Sequence, residues 1–255
     1  MTDVSGTAWV VEHRAVVSST MDVAAELARA GARDRTVVVA DEQTAGRGRA
    51  GRSWHAQMGT SLLMTAILRP QLHAQAAGGM SIAVGLAVAD AISDVCGITP
   101  WLKWPNDLWI GSQEDGEKVA GVLIQNRVVG DQVEVALVGI GVNIDAHAEE
   151  IGGGATHLHA HADAVTRDAL LEAVLRRIDE RVPTLVANGG RLAVDEWNAR
   201  AALLGHVVRV EDGDRAVTGT LTGLGEDGSL LLRSEAGEVV ALQVGDLTRG
   251  PRKLG

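Results

Sequence analysis

Tyrosine and phenylalanine are absent from the 255 residues, and six tryptophans supply all the aromatic side chains, 2% of the chain. The core must therefore be built from Val, Leu, Ile and Ala, and each Trp is a position to inspect. The single cysteine excludes an intrachain disulfide and fits a reducing cytoplasm. Cys96 sits near a predicted helix end and reads as a small buried residue. No stretch approaches the roughly 20 apolar residues that span a bilayer. The opening MTDVSGTAWVVEHRAVV lacks the basic start and apolar run of a signal peptide. These absences predict a cytoplasmic protein with no membrane partner. An excess of cations is also missing. The formal net charge is -10, which makes the chain a poor non-specific nucleic-acid binder, because neutralising phosphates dominates that affinity.

What is present is ordinary for a globular chain: 46% hydrophobic and 22% charged residues. The length suits one large domain with a small appendage. Residues 9–17 predict a strand. Thr20 can cap a helix over 21–30 that stops at Gly31. Strands are predicted at 36–40, 61–68, 118–127 and 132–144, with a hairpin loop at 111–117. An apolar helix is predicted over 81–96, stopped by Gly97. Residues 145–165, with Gly152-Gly153-Gly154, predict a surface loop. Helices are predicted over 166–182, broken by Pro183, and over 191–204. From Gly205 short Val/Leu/Thr-rich strands alternate with turns such as Gly225-Glu226-Asp227-Gly228, which predicts a small antiparallel barrel. Strands in runs, without strict βαβ alternation, give an α+β class. The expected domains are 1–204 and 205–255.

Charge contrast carries the first functional signal. No Asp or Glu lies between Glu42 and Asp90, while the same stretch holds Arg47, Arg49, Arg52 and Arg69. Glycine lets backbone approach a ligand closely, and guanidinium forks bind phosphate or carboxylate oxygens in pairs. The segment Gly46-Arg47-Gly48-Arg49-Ala50-Gly51-Arg52 is thus suited to closing over a polyanion. The bland alternative is a solvated basic loop. The segment also spells GxGxxG, but Asp41 to Ala45 intervene after the predicted strand and no acid lies where a dinucleotide ribose needs one.

Lys103-Trp104-Pro105-Asn106-Asp107 is a second cluster. It reads either as a tight turn or as a phosphate-contacting Lys103 beside an Asp107 that holds Mg²⁺ through water. Lys118, at the head of the apolar strand Lys118-Val119-Ala120-Gly121, must snorkel or meet an anion. Gly139-Ile140-Gly141-Val142-Asn143 ends another strand, and its glycines suggest close approach of a ligand. His157, His159 and His161 would share one face of a strand and could bind metal. Three preceding glycines and the lack of a Cys or acid in register favour a surface loop instead. Trp101, Trp109 and Trp197 read as packing residues. Trp54 follows Arg52 and reads as an adenine-contacting or loop-closing residue.

Together with Ser19-Thr20 and Gln43-Thr44-Ala45, these motifs resemble, in order and spacing, those of biotin protein ligases over roughly residues 16–250. The resemblance implies a mixed-sheet catalytic domain of the biotin/lipoate ligase type, followed by a small SH3-like β-barrel. It implies activation of biotin with ATP to biotinoyl-AMP, then transfer to a lysine of a biotin carboxyl carrier protein of a carboxylase. It places Ser19, Thr20, Gln43, Gly46, Arg47, Gly48, Arg49 and Gly121 around biotin. Arg47, Arg49, Arg52, Trp54, Lys103, Asn106, Asp107 and Asn143 would serve ATP or the adenylate. Lys118 would meet both the biotin carboxylate and the α-phosphate, and Lys118, Arg49 and Arg52 would form the catalytic set. Met21 departs from the family, where Asn is common. Some members carry an N-terminal DNA-binding domain. The stretch before Ser19 is too short for one, and with the net charge this predicts no nucleic-acid partner. A homodimer stays open. The competing readings are a ligase for another acid such as lipoate, and a non-catalytic repressor module.

Overall fold

The computed structural model describes residues 2–3, 9–145, 154–163, 165–192 and 194–250. Gly152 and Gly153 of the predicted loop lie outside them. The body is an eight-stranded mixed sheet built from β1 (Thr2–Asp3), β2 (Val10–Val17), β3 (Thr36–Gln43), β4 (Ser61–Leu68), β5 (Trp101–Lys103), β6 (Asp107–Gly111), β7 (Gly116–Val129) and β8 (Gln132–Asn143). The strand order is β1-β2-β3-β4-β8-β7-β6-β5. β2 and β3 pair in parallel and the remaining neighbours are antiparallel.

Helices cover both faces of this sheet. Helix α1 (Thr20–Arg29) packs Met21, Ala24 and Ala28 against Val38, Ile67, Val135 and Leu137. On the other face α2 (Gly79–Cys96) and α3 (Arg167–Ala187) pack over Val37, Val39, Leu62, Met64 and Ala66. Alternate residues of one strand thus enter different cores. β4 is buried at all eight positions, which is why its sequence is a continuous apolar run with no alternation.

The helices differ in detail from the sequence expectation. Ser19, one residue before Thr20, caps α1: its side chain accepts from the Met21 N–H at 3.3 Å. Gly97 ends α2 at φ +69°, as only a residue free of a Cβ does cheaply. At 18 residues α2 is long and apolar enough, by length and composition, to cross a membrane. It is instead mostly buried between the sheet and α3, and its Asp90 pairs with Arg181 and Arg200 at 2.6 Å. Pro183 does not break α3, which continues to Ala187. The ring φ suits a helix, so the cost is confined to one missing N–H bond and local crowding, while buried Val182 and Leu185 hold the last turns in place. The helix expected over 191–204 shrinks to α4 (Val194–Asn198). The following backbone is used otherwise: Leu102 N–H donates to Arg200 O at 2.7 Å and Ala202 N–H to Leu102 O at 2.9 Å.

The second unit is a five-stranded antiparallel sheet of β9 (Val207–Asp212), β10 (Arg215–Leu224), β11 (Leu230–Arg233), β12 (Val239–Leu242) and β13 (Asp246–Arg249), ordered β12-β11-β10-β9-β13. It is joined to the body by a continuous core in which Val208, Leu221 and Leu230 meet the same cluster as α2. Trp104, buried in the turn before β6, donates from Nε1 to Gly228 O at 3.1 Å. The start of β13 stands beside the Gly/Arg loop, with Asp246 2.7 Å from Arg52.

Candidate active site

The cavity begins as a row of missing side chains. On the α1 face of the sheet, Gly139 pairs with Thr65 and Leu123, and Gly141 pairs with Gly121. Helix α1 fills the lower part of this face. Above its N-terminus the glycines leave a cavity of about 190 Å³. A Cβ on Gly141 would fall 2.5 Å from the Trp54 ring, and one on Gly121 would fall 3.1 Å from it. The indole therefore lies flat on the strands where the two glycines meet.

One end of the cavity is neutral. Gln43 Oε1 accepts from Thr20 N–H at 2.7 Å and from Thr20 Oγ1 at 3.0 Å. The Thr20 and Thr65 hydroxyls stand 2.8 Å apart. Met21 and Leu123 supply apolar wall. Met21 packs its thioether end over Gly139, so in this chain the departure at Met21 gives a flexible apolar surface where a side-chain amide would otherwise stand.

The other end is cationic. Arg47, Arg49, Arg52, Lys103 and Lys118 line the cavity against two acids, Asp107 and Asp246. This concentration of positive charge lies in a chain of net charge -10. Lys103 and Asp107 are direct cross-strand partners on β5 and β6, and the Lys103 ammonium lies 4.9 Å from the Trp109 ring centroid. Burial pushes the Lys103 amine below its ordinary value, and nearby Lys118 adds to this, while Asp107 opposes it. Lys118 Nζ lies 2.7 Å from Asp107 Oδ1 and 5.3 Å from the centroid of the Trp54 ring. Its backbone is clamped by residues 154–156: its N–H donates to Gly154 O and its O accepts from Thr156 N–H, both at 2.9 Å. Asn106 donates to Val122 O at 2.9 Å and accepts from Arg49 at 3.3 Å.

The Gly/Arg loop is tied at both ends. Arg47 pairs with Asp22 on the first turn of α1. Arg52 and Arg49 reach Asp246 at 2.7 and 3.5 Å, and the Arg49 guanidinium also reaches Gly245 O at 3.5 Å. Gly48 N–H and Trp54 N–H close the loop on Arg52 O and Gly46 O.

The geometry thus gathers Ser19, Thr20, Gln43, Arg47, Gly48, Arg49, Arg52, Trp54, Lys103, Asn106, Asp107, Lys118 and Gly121 around one cavity. Gly46 lies behind it, with Trp54 backbone close against its Cα. Asn143 is set apart: it is 3% exposed, does not line the cavity, and donates to Thr156 O at 3.0 Å. Sequence reasoning missed Thr65 and Asp246. Thr65 sits inside an apolar run where a lone hydroxyl was the available signal. Asp246 joins the site only through the fold. The histidines do not share a strand face. His161 bonds Thr156 at 2.8 Å, and His159 bonds Val165 O at 2.9 Å and meets Asp145 at 3.3 Å. Among the described residues no group of three or more His, Cys, Asp or Glu could cage a metal. Cys96 is half-buried. Trp197 is 2% exposed, while Trp101 and Trp109 pack against the core edge.

Residues 14–144 match the model of the biotin/lipoate A/B protein ligase family, and residues 203–247 match that of the biotin protein ligase C-terminal domain. The chain belongs to the biotin/lipoate A/B protein ligase family. It is 36% identical over 216 residues to a biotin–[acetyl-CoA-carboxylase] ligase of Paracoccus denitrificans, covering 80% of this chain and 86% of that one. It is 32% identical over 230 residues to the bifunctional ligase/repressor BirA of Bacillus spizizenii, covering 88% of this chain and 70% of that one. Among solved structures, the biotin protein ligase of Aquifex aeolicus in complex with biotin and ATP superposes with a TM-score of 0.79 at 29% identity, covering 94% of this chain and 99% of that one. Most of the mixed sheet falls within the first match and most of the antiparallel sheet within the second.

Proposed function

We infer that the chain is an ATP-dependent biotin protein ligase. It activates biotin to biotinoyl-AMP and transfers the biotinoyl group to a lysine of an acceptor protein. The observation that carries this is one cavity with a neutral, hydroxyl- and amide-lined end and a strongly cationic end. The neutral end suits a ureido ring, which offers N–H donors and a carbonyl acceptor. The cationic end suits a triphosphate. Lys118 stands at the cationic end, on the strand whose Leu123 walls the neutral end.

The chemistry needs two anions brought together. A biotin carboxylate oxygen attacks the α-phosphorus of ATP, and pyrophosphate leaves. Lys118, Arg49 and Arg52 lower the repulsion and stabilise charge at the phosphorus, so positioning and electrostatics carry the step without a protein nucleophile. We assign Ser19, Thr20, Gln43, Gly46, Gly48 and Gly121 to the biotin end, Arg47 and Arg49 to both ligands, and Arg52, Trp54, Lys103, Asn106 and Asp107 to the nucleotide end. The buried amide of Asn143 supports the strand of Lys118 through Thr156. In the second step the acceptor lysine amine attacks the acyl carbon, AMP leaves with the mixed-anhydride oxygen, and the amine loses a proton. The Gly/Arg loop keeps water from the anhydride meanwhile.

Magnesium fits as an ion that arrives with the phosphates. The protein offers no cage of its own among the described residues, but Asp107 beside Lys103 and Lys118 would hold such an ion through water, as one of the carboxylates it commonly takes. It would neutralise phosphate charge. The acceptor we assign is the carrier domain of a biotin-dependent carboxylase, and an enzyme using ATP to modify such a target works in the cytoplasm. Biotin-dependent ATP–pyrophosphate exchange, with lipoate as control, tests the reading. Exchange requiring biotin and Mg²⁺ is expected. Exchange with lipoate alone overturns the substrate, and no exchange with either acid overturns the activity.

A further inference from the structure

The hydrogen bonds at the neutral end have a fixed direction, and a residue that no family motif marks sets it. The Thr20 backbone N–H points at the Gln43 amide at 2.7 Å, so the atom facing it must be the oxygen. That oxygen carries no proton. The Thr20 hydroxyl, 3.0 Å from the same oxygen, must therefore donate to it. A hydroxyl has one proton, and Thr20 has now used its own. The 2.8 Å contact between Thr20 and Thr65 can then run only one way, from Thr65 to Thr20. Donation thus runs from Thr65 to Thr20 and from Thr20 to the Gln43 oxygen, and each bond polarises the next. Two consequences face the cavity. Thr20 keeps a lone pair and no free proton, so it can only accept. The Gln43 Nε2 group, beside the bare Cα of Gly46, can only donate.

Thr65 itself has no exposed surface. It lies on β4 beneath Thr20, paired with Gly139 and Val38. A buried hydroxyl in a strand whose other positions are almost all apolar is costly unless bonded, and its partner here is a residue of the cavity.

We propose that Thr65 is a positioning residue for the biotin ureido ring. By donating to Thr20 it commits the Thr20 hydroxyl to Gln43 and presents Thr20 to the ligand as an acceptor for a ureido N–H, while Gln43 presents a donor. Thr65 acts through Thr20 and has no part in the phosphate chemistry. The inference rests on the biotin ligase reading above.

The test is pyrophosphate exchange on the full-length wild-type protein and three variants, Thr65→Val, Thr65→Ala and Thr65→Ser. Valine keeps the shape and removes the hydroxyl, alanine removes both and keeps the experiment open if valine does not fold, and serine keeps the hydroxyl. The expected result is a 3- to 10-fold rise in KM for biotin in T65V, about the size of one net hydrogen bond. KM for ATP and kcat should stay near wild type, and T65S should bind biotin as wild type does. An unchanged KM for biotin in T65V and T65A overturns the proposal. So does a joint loss of kcat and both KM values that T65S shares, since that marks a packing role. Failure of the wild-type protein to exchange with biotin overturns the ligase reading, and this inference falls with it.

Discussion

Lys118 is the residue on which the two ends of the cavity depend most directly. Its ammonium is held between the Asp107 carboxylate and the Trp54 ring, so a charge is oriented before any ligand arrives. Lys118→Ala should lower biotin-dependent pyrophosphate exchange by more than about 100-fold, the scale of one oriented group in a site. A rate near wild type would remove Lys118 from the chemistry. Gly141 makes a different demand. Its Cα lies under the Trp54 indole, and an added methyl would overlap the ring. Gly141→Ala should destabilise the protein by about 1–3 kcal/mol, as overpacking does. In a Trp54→Ala background the cost should shrink, because the clash partner is gone. Thermal unfolding of the two singles and the double measures it; additive losses would show that the ring does not rest there in solution.

Among the elements, the turn of the Gly/Arg loop has little supporting core. No residue of the turn Arg49–Gly51 is buried. The loop is held by ion pairs to Asp22 on α1 and Asp246 on β13. Such half-exposed pairs contribute about 1 kcal/mol or less each, so they set the loop position without adding much global stability. Arg49→Gly removes contacts to Asn106, Gly245 and Asp246 together. It should release the adenylate into solution while leaving the melting temperature within a few degrees. A trapping assay for free biotinoyl-AMP reads the first part, and wild-type retention by the variant would refute it. Packing separates α3, which tolerates Pro183, from the Gly/Arg loop: it stabilises a helix beyond its propensity, and the turn Arg49–Gly51 buries no residue.

At the scale of the whole molecule, pH should act on the site and the fold separately. Burial holds Lys103 below the usual lysine range in the folded protein. A bound polyanion favours its charged form. As pH rises through that lowered value the ammonium loses its proton, so KM for ATP should climb on the alkaline side before an ordinary lysine would titrate. Lys103→Arg, charged throughout, should flatten that limb. Acid acts elsewhere. Asp94 on α2 is held below the ordinary carboxylate range, first by its hydrogen bond to Arg177 and then by Arg176, both on α3. A depressed folded value contributes stability above the unfolded value that is lost as pH falls through the folded one. Asp94→Asn should therefore weaken the fold near neutrality and reduce the acid dependence of unfolding, read from urea midpoints between pH 7 and pH 3.

Local chemistry was enough to announce much of this protein. The apolar run of β4, the stop at Gly97, the Gly/Arg loop and the Lys103–Asp107 turn all follow from propensity, spacing and charge within a few neighbouring residues, and the motifs together named the family. Other features depend on distance in space. Whether Pro183 ends a helix was decided by the core beneath Val182 and Leu185. Whether residues 199–205 stay helical was decided by β5, which took their backbone groups. Asn143 and Thr65 exchanged places relative to the cavity because strand register, set by the whole sheet, turned one amide into the interior and one hydroxyl beneath Thr20. Asp246 lies 194 positions from Arg52, and no local pattern joins residues that only the docking of the second sheet brings within 2.7 Å. Composition and periodicity act along the chain; register, burial and ion pairing act across it, and the site is made by the second kind.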